Sequence, residues 1–218
     1  MEQVLQFLKE LSENNNREWF NANRKRYEES REKILFLTDI FINEIRKFDP
    51  ELPPMSPKDC IFRIFRDVRF SKDKRPYKTN FGSFIAKGGR KSENAGYYFH
   101  IEPSGSFIGG GIYMPQAGPL KAIRNHIEEH PDEFLAIIND PGFKAFFPEM
   151  MDHKLKTAPR GIDKNHPYID LLRYKSFAFS SPVKKEILLS GKYVETAVNA
   201  YRELNKVNAF LNEALNDF

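Results

Sequence analysis

Cysteine is almost absent from this sequence, in which Cys60 is the single thiol among 218 residues. One thiol cannot form an internal disulfide, so the small secreted folds that depend on disulfides are excluded, and a reducing, cytoplasmic setting fits best. Long apolar runs are also absent, since none approaches the ~18 residues that a membrane-spanning helix needs. We therefore expect a cytoplasmic protein that has no membrane partner.

The features of targeting segments and of disordered chains are missing as well. Residues 1–13 mix acidic residues and a lysine with apolar ones, and they lack the basic start of a signal peptide. With 20 Phe, 9 Tyr and 1 Trp, the chain has enough apolar area for a folded core. No linker rich in Gly, Ser or Pro separates two cores, so we expect a single domain over residues 1–218.

Both ends of the chain have helical periodicity. Residues 2–12 predict a short amphipathic helix, and residues 193–216 predict a final one. Asn15 and Glu18 resemble a capping box, which predicts a second helix that runs to about Phe48. Apolar residues recur there every seven positions and form one stripe: Phe20, Tyr27, Ile34, Phe41 and Phe48. The stripe favours packing in the protein core, with a coiled-coil dimer as the alternative.

The middle of the chain has the period of two that is typical of strands. The predicted strands are residues 60–70, 81–87, 97–102, 106–114 and 176–179. Short connections between the first four favour an antiparallel meander. Helices are predicted over residues 119–130, 132–138 and 141–147. The predicted fold class is therefore α+β, a single domain with a curved antiparallel sheet and flanking N- and C-terminal helices.

Positive charge is concentrated in one segment. The whole chain has 34 Lys and Arg against 30 Asp and Glu, a net charge of +4. Residues 58–78 contain eight basic and three acidic residues, so this segment carries +5 and the rest of the chain sums to −1. A charge concentrated in this way is typical of a site that binds anions.

The predicted anion site lies on the strand 60–70 and on the loop that follows it. Arginine forks match phosphate or carboxylate in two-point geometry, and lysines add point charge. The alternation places Arg66 within an apolar face; Asp67 would orient an arginine, and Tyr77 would stack on a base or a sugar. The candidate ligand-binding residues are Arg63, Arg66, Asp67, Arg69, Lys72, Lys74, Arg75, Tyr77 and Lys78. The expected partner is an anionic ligand, either a small phosphorylated metabolite or nucleic acid.

Two other interpretations of this segment stay open. In the first, the protein is structural or binds a partner, and the arginines only form ion pairs that hold the sheet to its loops. In the second, the protein is a hydrolase or a phosphoryl-handling enzyme, in which His100 and Glu102 transfer protons beside the arginines. These two residues share one face of the strand 97–102 and are the catalytic candidates. Strict alternation also predicts that this face is simply the polar, water-facing side of the sheet.

Two further patterns have residue types that are found in chemical sites. His126-Ile-Glu-Glu-His130 has the letters H-x-x-E-H of the inverted zinc-protease motif. Pro131 cuts the helix directly after it and no clear third ligand stands out downstream, so we interpret His130 as a histidine favoured by a helix C-terminus. We expect no metal and no cofactor. Gly109-Gly110-Gly111 does not form a phosphate-binding loop, but glycines in a strand allow a close approach of another backbone or a ligand.

Three stretches of the chain resemble a bacterial and fungal family known as domain of unknown function 2461. They are Asn14-Asn-Asn-Arg-Glu-Trp-Phe20, Arg63-Ile-Phe-Arg-Asp-Val-Arg-Phe-Ser-Lys-Asp-Lys-Arg-Pro-Tyr-Lys-Thr79 and Asp170-Leu-Leu-Arg-Tyr-Lys-Ser-Phe177. The resemblance spans nearly the whole chain and implies one full-length domain. It implies no reaction and transfers no site residues. The middle stretch coincides with the basic segment.

Overall fold

The computed structural model describes residues 1–216. The helices in this part of the chain are α1 Glu2–Glu13, α2 Arg17–Ala22, α3 Arg24–Ile45, α4 Pro57–Cys60, α5 Ala117–Glu129, α6 Pro131–Asn139, α7 Pro141–Phe146, α8 Ile169–Leu172, α9 Lys185–Leu189 and α10 Tyr193–Asn216. The strands are β1 Phe81–Ile85, β2 Gly96–Ile101, β3 Phe107–Ile112 and β4 Phe177–Pro182. Among the described helices, none combines the length and the apolarity that crossing a bilayer requires.

The four strands form one open antiparallel sheet in the order β1-β2-β3-β4. This confirms the α+β class with a meander and with helices at both ends of the chain. The alternation predicted for β2 is also confirmed. Tyr97, Phe99 and Ile101 are buried, whereas Tyr98 and His100 on the opposite face are half-buried.

The chain forms two compact units. The first consists of Met1–Arg90, Tyr98–Ile108 and Pro182–Val198; the second consists of Lys91–Tyr97, Gly109–Ser181 and, within the described part, 199–216. A single domain over residues 1–218 therefore stays a prediction. The last two residues of the predicted domain, 217–218, lie outside the described residues.

The second predicted helix is interrupted at Asn23, so one continuous helix to about residue 48 is wrong. The Asn23 side-chain amide donates to the carbonyl of Trp19 at 3.0 Å, in competition with the Asn23 backbone N–H, which donates to the same carbonyl at 3.0 Å. The cap also lies one residue later than predicted. Asn16 Oδ1, and not Asn15, accepts a hydrogen bond from the Trp19 N–H at 2.9 Å.

The apolar stripe whose residues recur every seven positions packs inside the first unit. Ile34 and Phe41 of α3 are fully buried. The ring of Phe41 lies 5.5 Å from that of Phe99 and 5.9 Å from that of Tyr193. These contacts support the interpretation of the stripe as core packing, because the aromatic rings are already covered by the chain itself.

The second unit has its own aromatic core. The Phe134 ring lies 5.2 Å from Phe210 of α10 and 6.1 Å from Phe177 of β4. Tyr97 and Tyr201 meet edge to face with their ring centres 5.4 Å apart. A T-shaped arrangement matches the positive edge of one ring to the negative face of the other, so these pairs contribute beyond their buried area.

The ion pair between Glu10 of α1 and Arg26 of α3 gives the first unit a pH-dependent contribution. Their charged atoms are 2.6 Å apart, and the hydrogen bond from Arg26 lowers the pKa of Glu10 to about 2. Because the folded pKa is depressed, this stabilisation is present above the unfolded carboxyl pKa of ~4.3 and is lost as pH falls towards 2. We expect Glu10→Gln to lower the free energy of unfolding at pH 7 by ~0.5–1 kcal/mol, since the pair is partly exposed.

Urea unfolding at pH 7 and near pH 2 checks this expectation. The difference between wild type and Glu10→Gln should shrink at the lower pH. Glu13→Gln is the matched control, because Glu13 is exposed on the same helix and pairs with no cation within residues 1–216. An equal loss of stability in Glu10→Gln at both pH values would show that the carboxylate charge is not what matters.

Candidate functional site

The basic segment does not form the predicted strand over residues 60–70. Cys60 ends the short helix α4, and Ile61 and Phe65 each form only a single bridge, to Ser83 and Tyr77 respectively. The expected alternation of faces is therefore wrong from Ile61 onward. The chain instead doubles back on itself, with the Lys78 N–H donating to the Ile64 carbonyl at 2.8 Å.

Arg66 does not lie within an apolar face. Its side chain is 24% exposed and forms an ion pair with Asp73 at 2.7 Å. The guanidinium also donates to the Arg75 carbonyl at 3.0 Å. Arg75 shares the same carboxylate at 2.8 Å, and the two arginines, Arg75 foremost, hold the pKa of Asp73 well below its usual range. The Arg66 side chain thus bonds to groups of its own loop and stabilises that loop.

Asp67 and Arg69 form a second ion pair of the same kind as Asp73 and Arg75. Their side chains are 2.7 Å apart, and the Arg69 backbone N–H also donates to Asp67 Oδ1 at 3.3 Å. The Arg69 hydrogen bonds lower the pKa of Asp67. Asp73 accepts from the backbone and side chain of Arg75 in the same way. Arg66 and Arg69 are therefore each paired with a carboxylate. The guanidinium groups of Arg63, Arg66 and Arg69 do not form one shared anion-binding group.

Tyr77 is a core residue and not an exposed stacking platform. It is 5% exposed, and its ring stacks on Phe20 with the ring centres 4.0 Å apart. Asn15 holds its backbone, since the Asn15 amide donates to the Tyr77 carbonyl at 3.0 Å and accepts from the Tyr77 N–H at 3.1 Å. The predicted stacking of Tyr77 on a base or sugar is thus wrong. The exposed rings in this segment include Phe70, at 96%, and Phe65, at 45%.

Four cations of the predicted set have no carboxylate partner within residues 1–216: Arg63, Lys72, Lys74 and Lys78. The Lys74 ammonium donates to the Val68 carbonyl at 3.0 Å. Arg63 and Lys72 are exposed, whereas Lys78 is half-buried. Burial lowers the pKa of Lys78, and the positive charge of Arg63 lowers it further.

Lys78 lies beside the aromatic ring of Phe62. Its Nζ is 5.4 Å from the centre of that ring, which is within the range of a cation–π contact. The ring of Phe62 also lies near that of Tyr98 of β2, with the ring centres 6.3 Å apart. Phe62 thus lies close both to Lys78 and to Tyr98 on the polar face of the sheet.

His100 and Glu102 meet on that face, as their shared alternation predicted. His100 Nε2 is 3.1 Å from Glu102 Oε2, and His100 Nδ1 is 3.1 Å from the Tyr98 hydroxyl. Asn80 adds a contact of 3.4 Å to the same Nδ1, and Thr79 donates to Glu102 Oε1 at 2.7 Å. The side chains of His100 and Glu102 are 16% and 27% exposed. The five residues form one continuous polar network.

Tyr98 is a half-buried member of this network. Burial raises the pKa of its hydroxyl to about 12. A Cβ atom on Gly82 would overlap the Tyr98 hydroxyl, so the missing side chain of Gly82 makes room for it. Phe107 of β3 stacks on the His100 ring with the centres 4.7 Å apart. These contacts fix the orientation of the imidazole.

The network constrains what His100 can do. In a catalytic histidine, one ring nitrogen faces an orienting carboxylate and the other remains available to the reacting group. Here both nitrogens already have partners, Glu102 on one side and Tyr98 with Asn80 on the other. The arrangement therefore favours a positioning role for the imidazole over direct proton transfer to a substrate.

Sequence reasoning missed Phe62, Thr79, Asn80 and Tyr98. Tyr98 had a readable signal, because it shares the half-buried face of β2 with the two residues that were predicted. Thr79 and Asn80 directly precede β1, and only the pairing of β1 with β2 brings them to His100 and Glu102. Their contribution depends on that long-range register, which a single sequence does not reveal.

The comparisons with known proteins agree with the resemblance noted in the sequence. The profile of a family described as "Conserved hypothetical protein (DUF2461)" matches residues 3–210. This range includes the whole basic segment and the polar network on β2. No curated protein and no solved structure matches the chain. Because the profile covers nearly the entire sequence, the chain belongs to the DUF2461 family.

Proposed function

We propose that the protein binds a small ligand carrying a phosphate or carboxylate group at Arg63, Lys78 and Phe62, which we call the Arg63–Lys78 patch. The observation that carries the proposal is the proximity of two cations, neither of which forms a salt bridge with a carboxylate within residues 1–216, and one of which is half-buried. A half-buried cation beside a second positive charge is costly unless an anion compensates it. The neighbouring arginines of the segment, by contrast, are compensated by Asp67 and Asp73.

The polar network of β2 supports this assignment. Phe62 lies between the Lys78 ammonium and the Tyr98 ring, so the patch borders the hydroxyl, amide and imidazole groups of the network. Small-ligand sites commonly combine an apolar wall with a few well-placed polar groups. A ligand anchored by its anionic group at Arg63 and Lys78 would extend over Phe62 towards these groups.

A small ligand is favoured over nucleic acid. Binding along a nucleic-acid backbone needs several unpaired cations and accessible aromatic rings. Arg66, Arg69 and Arg75 are already paired with carboxylates, and Tyr77 is buried. The features of the segment that suit single-stranded nucleic acid are the exposed rings of Phe65 and Phe70 and the cations that pair with no carboxylate within residues 1–216, Arg63, Lys72, Lys74 and Lys78.

A cytoplasmic setting is part of the proposal. It is supported by the single cysteine, because Cys60 is free and buried. Burial raises the pKa of the Cys60 thiol to about 11, so this side chain stays protonated at neutral pH.

Calorimetric titration with inorganic pyrophosphate at low salt tests the proposal. We expect wild type to bind, and Arg63→Gln and Lys78→Gln each to weaken binding by about tenfold or more, because a hydrogen bond to a charged group contributes ~1.5–3 kcal/mol. Arg75→Gln is the matched control. It removes the same charge from the same segment, but from a side chain that is already paired with Asp73.

The outcomes separate the possible functions. No binding of pyrophosphate or of a tricarboxylate at low salt would contradict the proposal. If Arg75→Gln weakens binding as much as Arg63→Gln and Lys78→Gln do, binding depends on the overall positive charge of the segment and not on the patch. Tighter binding of a single-stranded oligonucleotide, with a salt slope of several phosphates, would assign nucleic acid instead. Hydrolysis of a phosphoester by wild type that His100→Asn abolishes would favour the enzyme interpretation, for which the His100–Glu102 contact is the supporting observation.

A further inference from the structure

A cluster of metal-ligating side chains lies at the C-terminal end of α5, in the second unit. One ligand atom each from His126, Glu129 and His130 lies within 4.8 Å of the other two. The spacing i, i+3, i+4 puts the three side chains on one face of the last helical turn. The sequence offered no clear third ligand downstream of the two histidines, but the structure finds one inside the motif, in Glu129.

The cluster opens into a cavity of about 350 Å³. The cavity is lined by Ala122, Asn125, His126, Glu129, His130, Glu213 and Ala214. Glu129 and Glu213 contribute two carboxylates to this lining, and neither lysine nor arginine is part of it. The cavity therefore has the sign of charge that attracts a cation, and the small side chains of two alanines leave room for an ion with its water ligands.

His126 has an unmet bonding requirement. Its Nε2 is buried and has no hydrogen-bond partner within residues 1–216. The ring packs 4.5 Å from Phe210 and 4.8 Å from His130, so the apolar neighbour holds the imidazole in place. A buried polar atom without a partner carries a free-energy penalty, which an ion coordinated at this nitrogen would relieve.

His130 lies at the junction of two helices. The negative end of the α5 dipole and the positive end of the α6 dipole meet there, so the dipoles do not decide the sign of a bound ion. His130 follows the last residue of α5 and precedes the first of α6, yet its side chain makes no capping hydrogen bond. The imidazole of His130 therefore has no capping role that metal binding would disrupt.

We propose that His126, Glu129 and His130 bind one divalent transition-metal ion, with Zn²⁺ as the best match and with water at the open positions. Imidazole ligands favour Zn²⁺, Ni²⁺, Cu²⁺ and Co²⁺ over Mg²⁺ and Ca²⁺, which prefer oxygen ligands alone. Zinc bonds of ~2.0–2.2 Å require ligand atoms roughly 3–4 Å apart. Rotation of the exposed side chains of Glu129 and His130 draws the cluster together to that spacing.

The test is calorimetric titration of Zn²⁺ into the full chain without an affinity tag, repeated with Co²⁺, whose visible absorption reports the ligand set. We expect one equivalent to bind, and Glu129→Gln and His130→Asn each to weaken Zn²⁺ binding by tenfold or more. Both residues are exposed, so these variants should fold, and circular dichroism verifies it. Glu128→Gln is the matched control, because Glu128 is adjacent on α5 but pairs with His166 at 3.2 Å.

The proposal is overturned if wild type binds no Zn²⁺, or if Glu129→Gln and His130→Asn both bind it as tightly as wild type does. An affinity for Mg²⁺ equal to that for Zn²⁺ would also overturn it, because binding would then depend only on the negative charge of the carboxylates and not on the imidazole ligands. A Co²⁺ spectrum that changes in His130→Asn and stays constant in Glu128→Gln supports it. This result is independent of the Arg63–Lys78 patch, since the pyrophosphate titration uses other residues.

Discussion

Gly110→Ala is expected to lower the free energy of unfolding by about 3 kcal/mol or more. Gly110 lies in β3, where a Cβ atom would overlap the carbonyl oxygen of Gly96 and lie 2.5 Å from Leu204 Cδ2. The backbone of a paired strand cannot move away without losing hydrogen bonds to the neighbouring strands. The overlap of the added Cβ with its neighbours therefore cannot be relieved at a low free-energy cost. Since a domain is stable by only ~5–15 kcal/mol, this substitution removes a large part of the total.

The neighbouring glycines make relaxation harder. A Cβ on Gly109 would overlap the Phe179 carbonyl, and one on Gly111 would overlap the Phe177 carbonyl. Gly111 also has a φ of 88°, a conformation that side chains disfavour. The close approach of another backbone, expected from the run of glycines, is confirmed, and the approaching backbone is that of β2 and β4.

Thermal unfolding monitored by circular dichroism measures the effect. A loss of 3 kcal/mol corresponds to a fall in Tm of roughly 6–12 °C for a chain of this size. Gly105→Ala is the matched control, because a Cβ at Gly105 meets no atom within 4 Å, and its stability should change by less than ~0.5 kcal/mol. A Tm for Gly110→Ala equal to that of Gly105→Ala would mean that β3 does not pack as described.

Periodic elements were predictable from the sequence because their signal is local. Tyr97, Phe99 and Ile101 alternate with polar neighbours, and burial follows that alternation in β2. The same rule failed over residues 60–70, where apolar and basic residues also alternate. There Asp67 and Asp73 accept hydrogen bonds from backbone N–H groups two residues later, which favours turns over a ladder. The repeated Asp-x-Arg pattern was the readable sign of those turns.

The candidate site was predictable only in part, because its geometry depends on distant partners. His100 and Glu102 were identified from one strand, yet Thr79 and Asn80 join them through strand pairing. Tyr77 was misread because its partner Asn15 lies 62 residues away, beyond any local pattern. Charge counting located the segment that carries the proposed patch, but it could not tell arginines that pair with a carboxylate from cations that do not.

Phe20→Ala is expected to destabilise the protein by ~3–5 kcal/mol, the usual cost of removing a buried phenyl ring from a core. Phe20 is 2% exposed, and its ring contacts Tyr77 at 4.0 Å, Tyr27 at 5.1 Å and Phe65 at 5.8 Å. Two of these partners belong to the basic segment. The substitution should therefore leave a cavity in the first unit and also loosen the chain that carries Lys78.

Urea unfolding measures the loss of stability, and amide hydrogen exchange at Tyr77 measures the local loosening. Phe70→Ala is the matched control, because it removes the same ring from an exposed position in that segment, and it should change stability by less than ~0.5 kcal/mol. If Phe20→Ala unfolds at the same urea concentration as Phe70→Ala, Phe20 is not a core residue. If it is destabilised but Tyr77 keeps wild-type exchange protection, the aromatic cluster stabilises the helices without anchoring the segment. The joint result therefore decides whether the core holds the Arg63–Lys78 patch in place, as the stacking of Phe20 on Tyr77 indicates.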